Sequence, residues 1–421
     1  MTRPFTLAVC AALFAAPVLA APVAPAAEKA SAPAAASADK APAAAPAPAA
    51  ATGEAADFTA QAKLLFRIVA CAGDAALPAG IDAKAVETYC KAQTRQMDKY
   101  KKTWVGVAEP FIAALRPSGL PTTVVYPFGG GDLISALTTY PDARDITTLS
   151  LEHAGDPRRI EKVNKAELEA SLALIRSTAN GLLVANDSKT ENLMKGQRGE
   201  LPGQLSFFLI ALAVHGYEPV QLRYFRIEPD GALHYLTSSD IADLEKKNAQ
   251  LLRAGWTSPD FSVAFSNSEL TFVKKGGDPK EVRVHRHIAA NLANDPFTRD
   301  SGLMKYLEGK GRICAMTKAA SYLLWRDDFK NIRDYLLAHM EFMISDSTGI
   351  PPKFATQAGF VQETYGKFEV SFLGANKDHN KDFKKLWASQ PERKLEFRYG
   401  YIDGMRHFHM LVTKKGPAKG Q

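Results

Sequence analysis

Long apolar runs are nearly absent from this 421-residue sequence, and so are the motifs of nucleic-acid binding. The apolar run at 5–16 is too short to cross a bilayer, and the run FFLIALAV at 207–214 has the length of a buried helix. No internal repeat is present either. The sequence therefore predicts no transmembrane segment after signal cleavage and no nucleic-acid partner.

Familiar catalytic signatures are missing as well. Ser347 does not lie in a Gly-x-Ser-x-Gly elbow, Lys318 precedes Ser321 instead of following it in the Ser-x-x-Lys order, and no His-Glu-x-x-His sequence occurs. These absences argue against a standard serine hydrolase, a β-lactamase and a metal site of the His-Glu-x-x-His type.

The chain begins with the pattern of a secretory signal peptide. Arg3 precedes the apolar run, and Val18 and Ala20 occupy the −3 and −1 positions of a small-residue cleavage site. Cys10 lies too early in the apolar run for lipoprotein processing. Residues 1–20 are thus predicted to be a signal peptide, which predicts a periplasmic or secreted protein.

Composition and pattern divide the remainder of the chain. Residues 21–56 are mostly Ala, Pro, Ser and Gly, and they lack the bulky apolar side chains needed for a core, so they are predicted to be a disordered linker. A helical hairpin subdomain is expected over 57–117, an α/β domain over 118–415 and a flexible tail over 416–421.

The cysteines that follow the signal peptide have different expected roles. Cys71 and Cys90 flank a loop between two helical patterns, and in an oxidising compartment this spacing predicts a disulfide that ties the hairpin. Cys314 lies in the apolar strand pattern GRICAM and is predicted to be a buried free thiol.

Positive charge is in modest excess, with 52 Lys and Arg against 45 Asp and Glu, a net charge of +7. Contact with anionic polymers or lipid headgroups is compatible with this excess. The basic residues are scattered among acidic ones, and the densest cluster, KYKK at 99–102, is interpreted as a solvated helix face.

The pattern changes at residue 122 and predicts the fold class. TTVVY is a strand pattern, a Gly-rich turn follows, Asp132 is placed to cap a helix over 133–140, and ITTLSLE is a second strand. This is a βαβ unit whose two strands should be parallel neighbours. Later hairpin patterns, the last about Asp403 and Gly404, predict an α/β fold with a Rossmann-like three-layer core, a mixed sheet and antiparallel C-terminal strands.

The Gly-rich turn is the first candidate for binding. Gly129, Gly130, Gly131 and Asp132 precede a helix, and a helix N-terminus attracts anions such as phosphate or carboxylate. The alternative is a tight turn in which the Asp132 carboxylate caps the helix itself.

A second candidate is a pair of carboxylates. Asp132 and Glu152 are both expected at the carboxyl edge of the sheet, where α/β proteins bind ligands. There they would bind a ligand or share acid–base work. The alternative is an ion pair between Glu152 and Arg158 or Arg159.

A third group of candidates lies near the C-terminus. Asp346 and Ser347 come at a predicted strand end beside a Gly turn, which suits a ligand or catalytic loop; the alternative is that they cap a short turn. Tyr322 is placed with Ser347 as a ligand-binding candidate. Lys318 and Arg333 are candidate partners of an oxyanion or phosphate.

Two His-x-His pairs, His285 with His287 and His407 with His409, are weak metal candidates. Residues two apart on a strand share a face, so each pair can in principle bind one metal ion. Polar decoration of a strand face is the favoured interpretation, and no metal or other cofactor is predicted.

Two stretches resemble a family of uncharacterised exported bacterial α/β proteins. The first carries a Tyr-Pro-Phe-x-Gly-x-Asp motif and the second a Ser-Tyr-Leu-Leu stretch that leads into Gly-Ile-Pro. The resemblance implies an exported α/β domain and no known reaction. This chain departs from the family at Gly129, Gly131 and His153, where Ser, Pro and Pro are expected. The matching residues are Tyr126, Pro127, Phe128, Gly130, Asp132, Leu151, Glu152, Gly155, Lys318, Ser321, Tyr322, Leu323, Phe329, Ile332, Arg333, Asp346, Gly349, Ile350, Pro351, Tyr365, Gly366 and Phe368.

The βαβ unit also has a weak local similarity to Rossmann-like methyltransferases. In such folds an acidic residue after the second strand, here Glu152, would bond a ribose, and the similarity would imply a nucleotide cofactor. The order Gly-Gly-Gly-Asp departs from the usual Gly-x-Gly-x-Gly, and such cofactors are not expected outside the cytoplasm. The cofactor is therefore not carried over.

Three functions remain open from the sequence. The favoured one is an exported domain that binds a small envelope ligand at the sheet-edge crevice, with an anionic ligand as one option. The second is a periplasmic hydrolase with Asp346 or Glu152 as general base. The third is an envelope factor that binds another envelope protein and has a vestigial crevice.

Overall fold

The computed structural model describes residues 53–185, 199–253, 263–294, 302–371, 374, 377–400 and 408–416. The predicted signal peptide, most of the predicted linker and nearly all of the predicted C-terminal tail lie outside the described residues, as does His407. Within the described part of the chain, no helix combines the length and apolar character needed to cross a membrane.

Ten strands form one mixed sheet in the order β4-β3-β5-β6-β2-β1-β7-β8-β10-β9. Strands β6, β2, β1, β7 and β8 are parallel, and the strands at both ends of the sheet are antiparallel. The strands are β1 Thr123–Pro127, β2 Asp145–Ser150, β3 Tyr217–Ile227, β4 Leu233–Tyr235, β5 Ser268–Lys274, β6 Arg283–Ala289, β7 Ile313–Thr317, β8 Met340–Ser345, β9 Phe360–Gly366 and β10 His409–Lys415.

Helices cover both faces of this sheet, so the predicted α/β class is confirmed. The described α-helices are α1 Thr59–Val69, α2 Ala83–Tyr100, α3 Gly106–Leu115, α4 Leu133–Thr139, α5 Lys165–Ala185, α6 Gly203–Val214, α7 Ser238–Arg253, α8 Leu303–Glu308, α9 Lys330–His339, α10 Pro352–Gln357 and α11 Asp378–Ala388. A π-helical turn over Lys101–Val105 joins α2 to α3.

The β1–α4–β2 unit forms as its sequence predicts. Val124 and Val125 of β1 are buried between neighbouring strands on both sides, and β1 pairs in parallel with β2, with Val124 opposite Ile146. Asp132 begins α4, because its side chain accepts a hydrogen bond from the Ser135 N–H at 3.3 Å. The helix is buried along its whole length.

The N-terminal helices share the core of the sheet. Cys71 and Cys90 form the predicted disulfide, with their Cα atoms 5.4 Å apart. The Phe58 N–H donates to the Leu222 carbonyl at 2.9 Å, and the Phe58 ring packs edge-on against Tyr224 with centroids 5.3 Å apart. The hydrophobic core is therefore continuous across the expected subdomain boundary.

Cys314 lies in β7, in the middle of the sheet. Its side chain is buried and forms no disulfide, as predicted. Burial raises the pKa of the Cys314 thiol to about 12, so the unreactive thiol form prevails at neutral pH.

The predicted C-terminal hairpin is wrong in its described part. Its turn, at Asp403 and Gly404, lies outside the described residues, and the segment 394–400 that should form its first strand has no regular structure. The last strand, β10, pairs instead with β8 and with β9. The sequence did not reveal strand β9. Pairing of β10 with β9, which is distant in the sequence, takes the place of the local hairpin.

Candidate functional site

The carboxyl ends of four parallel strands bring most of the candidate residues to one edge of the sheet. The strands β2, β1, β7 and β8 are neighbours in this order. Directly after them come, respectively, Glu152, the 129–132 turn, the loop that begins at Lys318, and the Asp346–Ser347 pair. This is the edge at which open α/β sheets bind ligands.

The glycines of the 129–132 turn are packing residues. A Cβ atom on Gly129 would lie 2.6 Å from the Tyr126 ring, and one on Gly131 would lie 2.4 Å from Oε1 of Gln204. Gly130 has a φ of 49°, in the left-handed region. The turn is buried throughout, so Gly131 allows close approach of helix α6, and Gly129 allows close packing of the Tyr126 ring.

Asp132 and Lys318 form a fully buried ion pair beneath this turn. Lys318 Nζ lies 2.7 Å from Oδ2 of Asp132 and 2.7 Å from Oγ of Ser135. The Tyr126 hydroxyl donates to the same Asp132 oxygen at 3.0 Å. Asp132 therefore caps α4 and neutralises Lys318, and neither charge is left over for an anionic ligand.

Two tyrosines complete this polar region. Burial raises the pKa of Tyr100 and of Tyr399 well above the usual value, and the Asp132 carboxylate adds to the effect on both. Both side chains stay neutral at physiological pH. The charge of Asp132 acts on both neutral hydroxyl groups, which lie in a buried region where the local dielectric is low.

Glu152 differs from the other acidic candidates because its carboxylate has no partner. Leu151 beside it is 64% exposed, whereas Glu152 is 2% exposed, the reverse of what hydrophobicity predicts. Neither carboxylate oxygen has a hydrogen-bond partner among the described residues. A buried polar group that lacks a partner costs free energy and requires an explanation.

The arginines expected to pair with Glu152 are engaged elsewhere. Arg158 pairs with Asp156 at 2.8 Å and also with Glu245. Arg159 pairs with Glu200. The expected ion pair with Glu152 is therefore wrong, because the 3-10 turn that carries both arginines, Pro157–Glu161, directs them to other carboxylates.

Gln204 is a site residue that the sequence did not reveal. It lies in the first turn of α6, it is fully buried, and both polar atoms of its amide lack a partner in the part of the chain that the structure describes. The next residue, Leu205, donates its N–H to the Ala154 carbonyl at 3.1 Å, which holds the start of α6 beside the segment that follows Glu152. The signal was a polar residue that opens an otherwise apolar helix.

His285 and His287 form a directed chain of hydrogen bonds rather than a metal site. Nε2 of His287 must donate to the Glu152 carbonyl, 2.7 Å away, so Nδ1 accepts from the Thr148 hydroxyl at 3.0 Å. The Thr148 oxygen then accepts from Nε2 of His285 at 3.0 Å. Burial lowers the pKa of His287 to about 4 and holds the pKa of His285 well below its usual value, so both rings are neutral.

The sheet topology keeps His409 away from His285 and His287, so these three residues cannot share one site. Strand β6, with His285 and His287, is separated from β10, with His409, by four strands of the sheet. The described residues contain no group of three or more His, Cys, Asp or Glu side chains placed to hold a metal ion.

Asp346 fixes the loop after β8. Its Oδ1 accepts from the Thr348 N–H at 2.8 Å and from the Thr348 hydroxyl at 2.5 Å. Its Oδ2 accepts from the Ala319 N–H at 3.0 Å, and the Ala320 N–H donates to the Thr348 hydroxyl at 2.9 Å. Asp346 thus joins the loops after β8 and β7, and a Cβ on Gly400 would clash with its carboxylate.

Strained backbone is concentrated at this same edge. Of the five described non-glycine residues with positive φ, four lie in the loops after β1 and β7. Such conformations cost on the order of 1–3 kcal/mol each and often occur at functional sites. The four residues are Phe128, Ala319, Ser321 and Tyr322, with φ of 63°, 57°, 52° and 58°.

The strained loop brings Tyr322 onto Ser347. The Tyr322 hydroxyl and Ser347 Oγ are 2.6 Å apart, and Nε2 of His409 lies 3.0 Å from the same Oγ. The Tyr322 ring also packs on His379, with ring centroids 4.1 Å apart. Two sequence candidates, Ser347 and Tyr322, are thus in direct contact, together with a histidine that had been considered only as a metal ligand.

Arg333 has a structural position. Its Nη1 donates to the carbonyl groups of Leu324 at 3.1 Å and Arg326 at 3.0 Å. Its guanidinium lies 3.8 Å from the Phe354 ring centroid and 3.6 Å from Asp327. The side chain holds the loop between β7 and α9.

No family model, curated protein or solved structure matches this chain. The resemblance to exported bacterial α/β proteins therefore stays a prediction. The function has to be inferred from the geometry of the carboxyl edge.

Proposed function

We propose that this protein is exported to the bacterial envelope and binds a small molecule at the carboxyl edge of its sheet, beside Glu152 and Gln204. Export is supported by the signal-peptide pattern of residues 1–20 and by the Cys71–Cys90 disulfide, a bond that persists in oxidising compartments. The same two features support a periplasmic or secreted location.

The observation that carries the binding proposal is the unpartnered carboxylate of Glu152. It lies where α/β folds bind ligands, and the Gln204 amide, also unpartnered among the described residues, opens the neighbouring helix. Unsatisfied polar groups of this kind are retained when a ligand satisfies them, since an apolar or paired residue would be more stable.

The local charge argues for a ligand rich in hydrogen-bond donors. Lys318 is neutralised by Asp132, while the Glu152 carboxylate has no partner among the described residues and adds negative charge to the edge. An anionic ligand would be repelled there, so the anionic class expected from the sequence is replaced by polyols, amino sugars or other donor-bearing molecules. Carboxylate oxygens accept hydrogen bonds and donate none.

A hydrolase with a carboxylate general base has less support. Asp346 already accepts three hydrogen bonds from its own loops. The two candidate cationic partners, Lys318 and Arg333, are bound to Asp132 and to loop carbonyl groups. If no small molecule binds, the third function, an envelope factor that binds another envelope protein, would be favoured.

The first test compares thermal unfolding of the protein with neutral polyols, amino sugars, phosphate and sugar acids. A ligand that binds only the folded state at a hundred times its Kd adds about 2.7 kcal/mol to the free energy of unfolding. We expect donor-bearing compounds to raise Tm and anions to leave it unchanged. Stabilisation by phosphate or sugar acids alone would contradict the assignment of ligand class.

Glu152→Gln separates binding from folding. Without ligand the variant should be at least as stable as the wild type, because an unpaired buried charge is removed. Affinity for the donor-bearing ligand should fall about tenfold or more, since hydrogen bonds to a charged group contribute roughly 1.5–3 kcal/mol. Glu87→Gln, at an exposed residue paired with Lys91 on α2, is the matched control. A destabilised Glu152→Gln with unchanged affinity would refute the site.

A further inference from the structure

We propose that Ser347 is a nucleophile, with His409 as its general base, and that the protein cleaves small uncharged esters at the end of β8. This activity is separate from binding beside Glu152, because the ends of β2 and β8 are separated by β1 and β7. Adjacent strands are about 4.8 Å apart, so the two places are roughly 14 Å from each other.

The hydrogen bonds around Ser347 have the arrangement that nucleophilic catalysis needs. Oγ lies 3.0 Å from Nε2 of His409, within the range for proton transfer, and 2.6 Å from the Tyr322 hydroxyl. All three side chains are buried. When the neutral His409 ring carries its proton on Nδ1, Ser347 donates to Nε2 of His409 and accepts from the Tyr322 hydroxyl, which the proposal assigns to stabilise an oxyanion.

The positions of these groups are fixed by their loops. Asp346 holds the turn beyond Ser347 through the Thr348 N–H, and it holds the strained loop before Tyr322 through the Ala319 N–H. Asp346 is therefore a positioning residue in this proposal. Tyr322 has a left-handed backbone conformation, and its ring lies toward Ser347. Backbone strain of this kind is common in functional loops.

Aromatic rings form a cover on His409, and this cover sets the substrate class. The Phe368 and Trp387 rings approach His409, with centroid distances of 5.3 and 5.9 Å. Phe368 is buried, whereas Trp387 and the neighbouring Trp325 are partly exposed. The group is thus buried beside aromatic rings, and an uncharged ester suits this environment better than an ion.

The reaction balances with water as the only co-substrate. Ser347 Oγ forms a bond to the ester carbonyl carbon while its proton passes to Nε2 of His409. The alkoxy group leaves as the C–O bond breaks and takes that proton from His409. Water then attacks the acyl-serine, its proton passes to His409, and Ser347 recovers its hydroxyl proton as the carboxylic acid is released.

The test uses a fluorophosphonate probe on the purified protein, with peptide mapping of the adduct by mass spectrometry. We expect one adduct, on Ser347, and labelling about 10²–10⁴-fold slower in His409→Gln. Trp387→Ala, which opens the cover, should label faster. Ser389→Ala, at an exposed serine that follows α11, is the control and should label like the wild type.

The same proteins are also assayed with p-nitrophenyl acetate as an ester substrate. They should hydrolyse it, and this hydrolysis should disappear in a further variant, Ser347→Ala. Mapping on the wild type does not depend on whether any variant folds. No adduct on Ser347 in either the wild type or Trp387→Ala would overturn the proposal, and so would labelling confined to another serine. Either result leaves the ligand-binding test at Glu152 unaffected.

Discussion

At the scale of single residues, three carboxylates at one edge of the sheet have three different environments. Asp132 is neutralised by a lysine, Asp346 is bound by backbone N–H groups, and Glu152 has no partner among the described residues. The same functional group, a carboxylate, therefore forms an ion pair in one place, joins two loops in another, and is left as an unpartnered hydrogen-bond acceptor in the third. Only the last has hydrogen-bonding capacity left for a ligand.

Removing one partner of the Asp132–Lys318 pair should destabilise the protein strongly, whereas replacing both partners together should destabilise it less. Lys318→Met leaves a buried carboxylate without its counter-charge, and the free energy of unfolding should fall by about 3–5 kcal/mol. The double variant Asp132→Asn with Lys318→Met should recover part of that loss. Urea denaturation of the wild type, both single variants and the double variant measures the coupling. A loss below about 1 kcal/mol in Lys318→Met would contradict a buried pair.

Sequence and structure agree most closely where local chemistry decides. The β-branched strand before residue 127 and the capping side chain of Asp132 predicted the β1–α4–β2 unit, and both features act within a few residues. Sequence also placed Asp346 and Ser347 at a strand end. Whether Glu152 contacts an arginine depends on how separate turns are oriented in the folded protein. No local sequence pattern determines that orientation.

At the scale of elements, strand β9 shows how the sheet ends. Its outer edge is covered by the segment after α11: Gln390 accepts from the Thr364 N–H at 3.1 Å and donates to the Gln362 carbonyl at 2.8 Å. The Gly366 N–H donates to the Arg393 carbonyl at 2.8 Å. Side-chain amide and loop backbone thus take the place of an eleventh strand, which protects the edge from pairing with another chain.

Removing this cover should increase association. Gln390→Ala leaves a backbone donor and a backbone acceptor of β9 without partners, so the free energy of unfolding should fall by about 1–3 kcal/mol. Aggregation on mild heating, followed by light scattering, should begin at a lower temperature than in the wild type. Gln96→Ala is the matched control, because Gln96 on α2 bonds the Asn180 side chain on α5 and, among the described residues, no backbone group of the sheet. Equal aggregation of the two variants would contradict the role of Gln390.

At the scale of the whole molecule, buried neutral histidines link several elements. His287 and His285 join β6 to β2, His153 bonds Ser266, and His215 joins the end of α6 to α4. Burial is the largest cause of the lowered pKa in each of them, and the pKa values of His153, His215 and His287 are about 4. Folding therefore requires these rings to be neutral.

This requirement predicts that stability decreases in mild acid. The pKa of an unfolded histidine is about 6.5, so between pH 6.5 and about 4 the unfolded chain binds protons that the folded protein does not. The free energy of unfolding should therefore fall as pH decreases through that window, by up to about 1.4 kcal/mol per pH unit for each histidine. Above pH 7 this contribution is fully present and the slope from these residues should vanish.

His215→Gln tests the effect at one residue. The amide keeps a hydrogen-bonding group near the Thr138 hydroxyl and the Ile134 carbonyl but does not titrate. The slope of unfolding free energy against pH, measured by urea denaturation from pH 4.5 to 6, should be smaller than in the wild type by up to about 1.4 kcal/mol per unit. The slopes at pH 7 to 8 serve as the internal control and should coincide. An unchanged slope in the acid window would mean that His215 is protonated in the folded protein, and that burial does not keep its ring neutral.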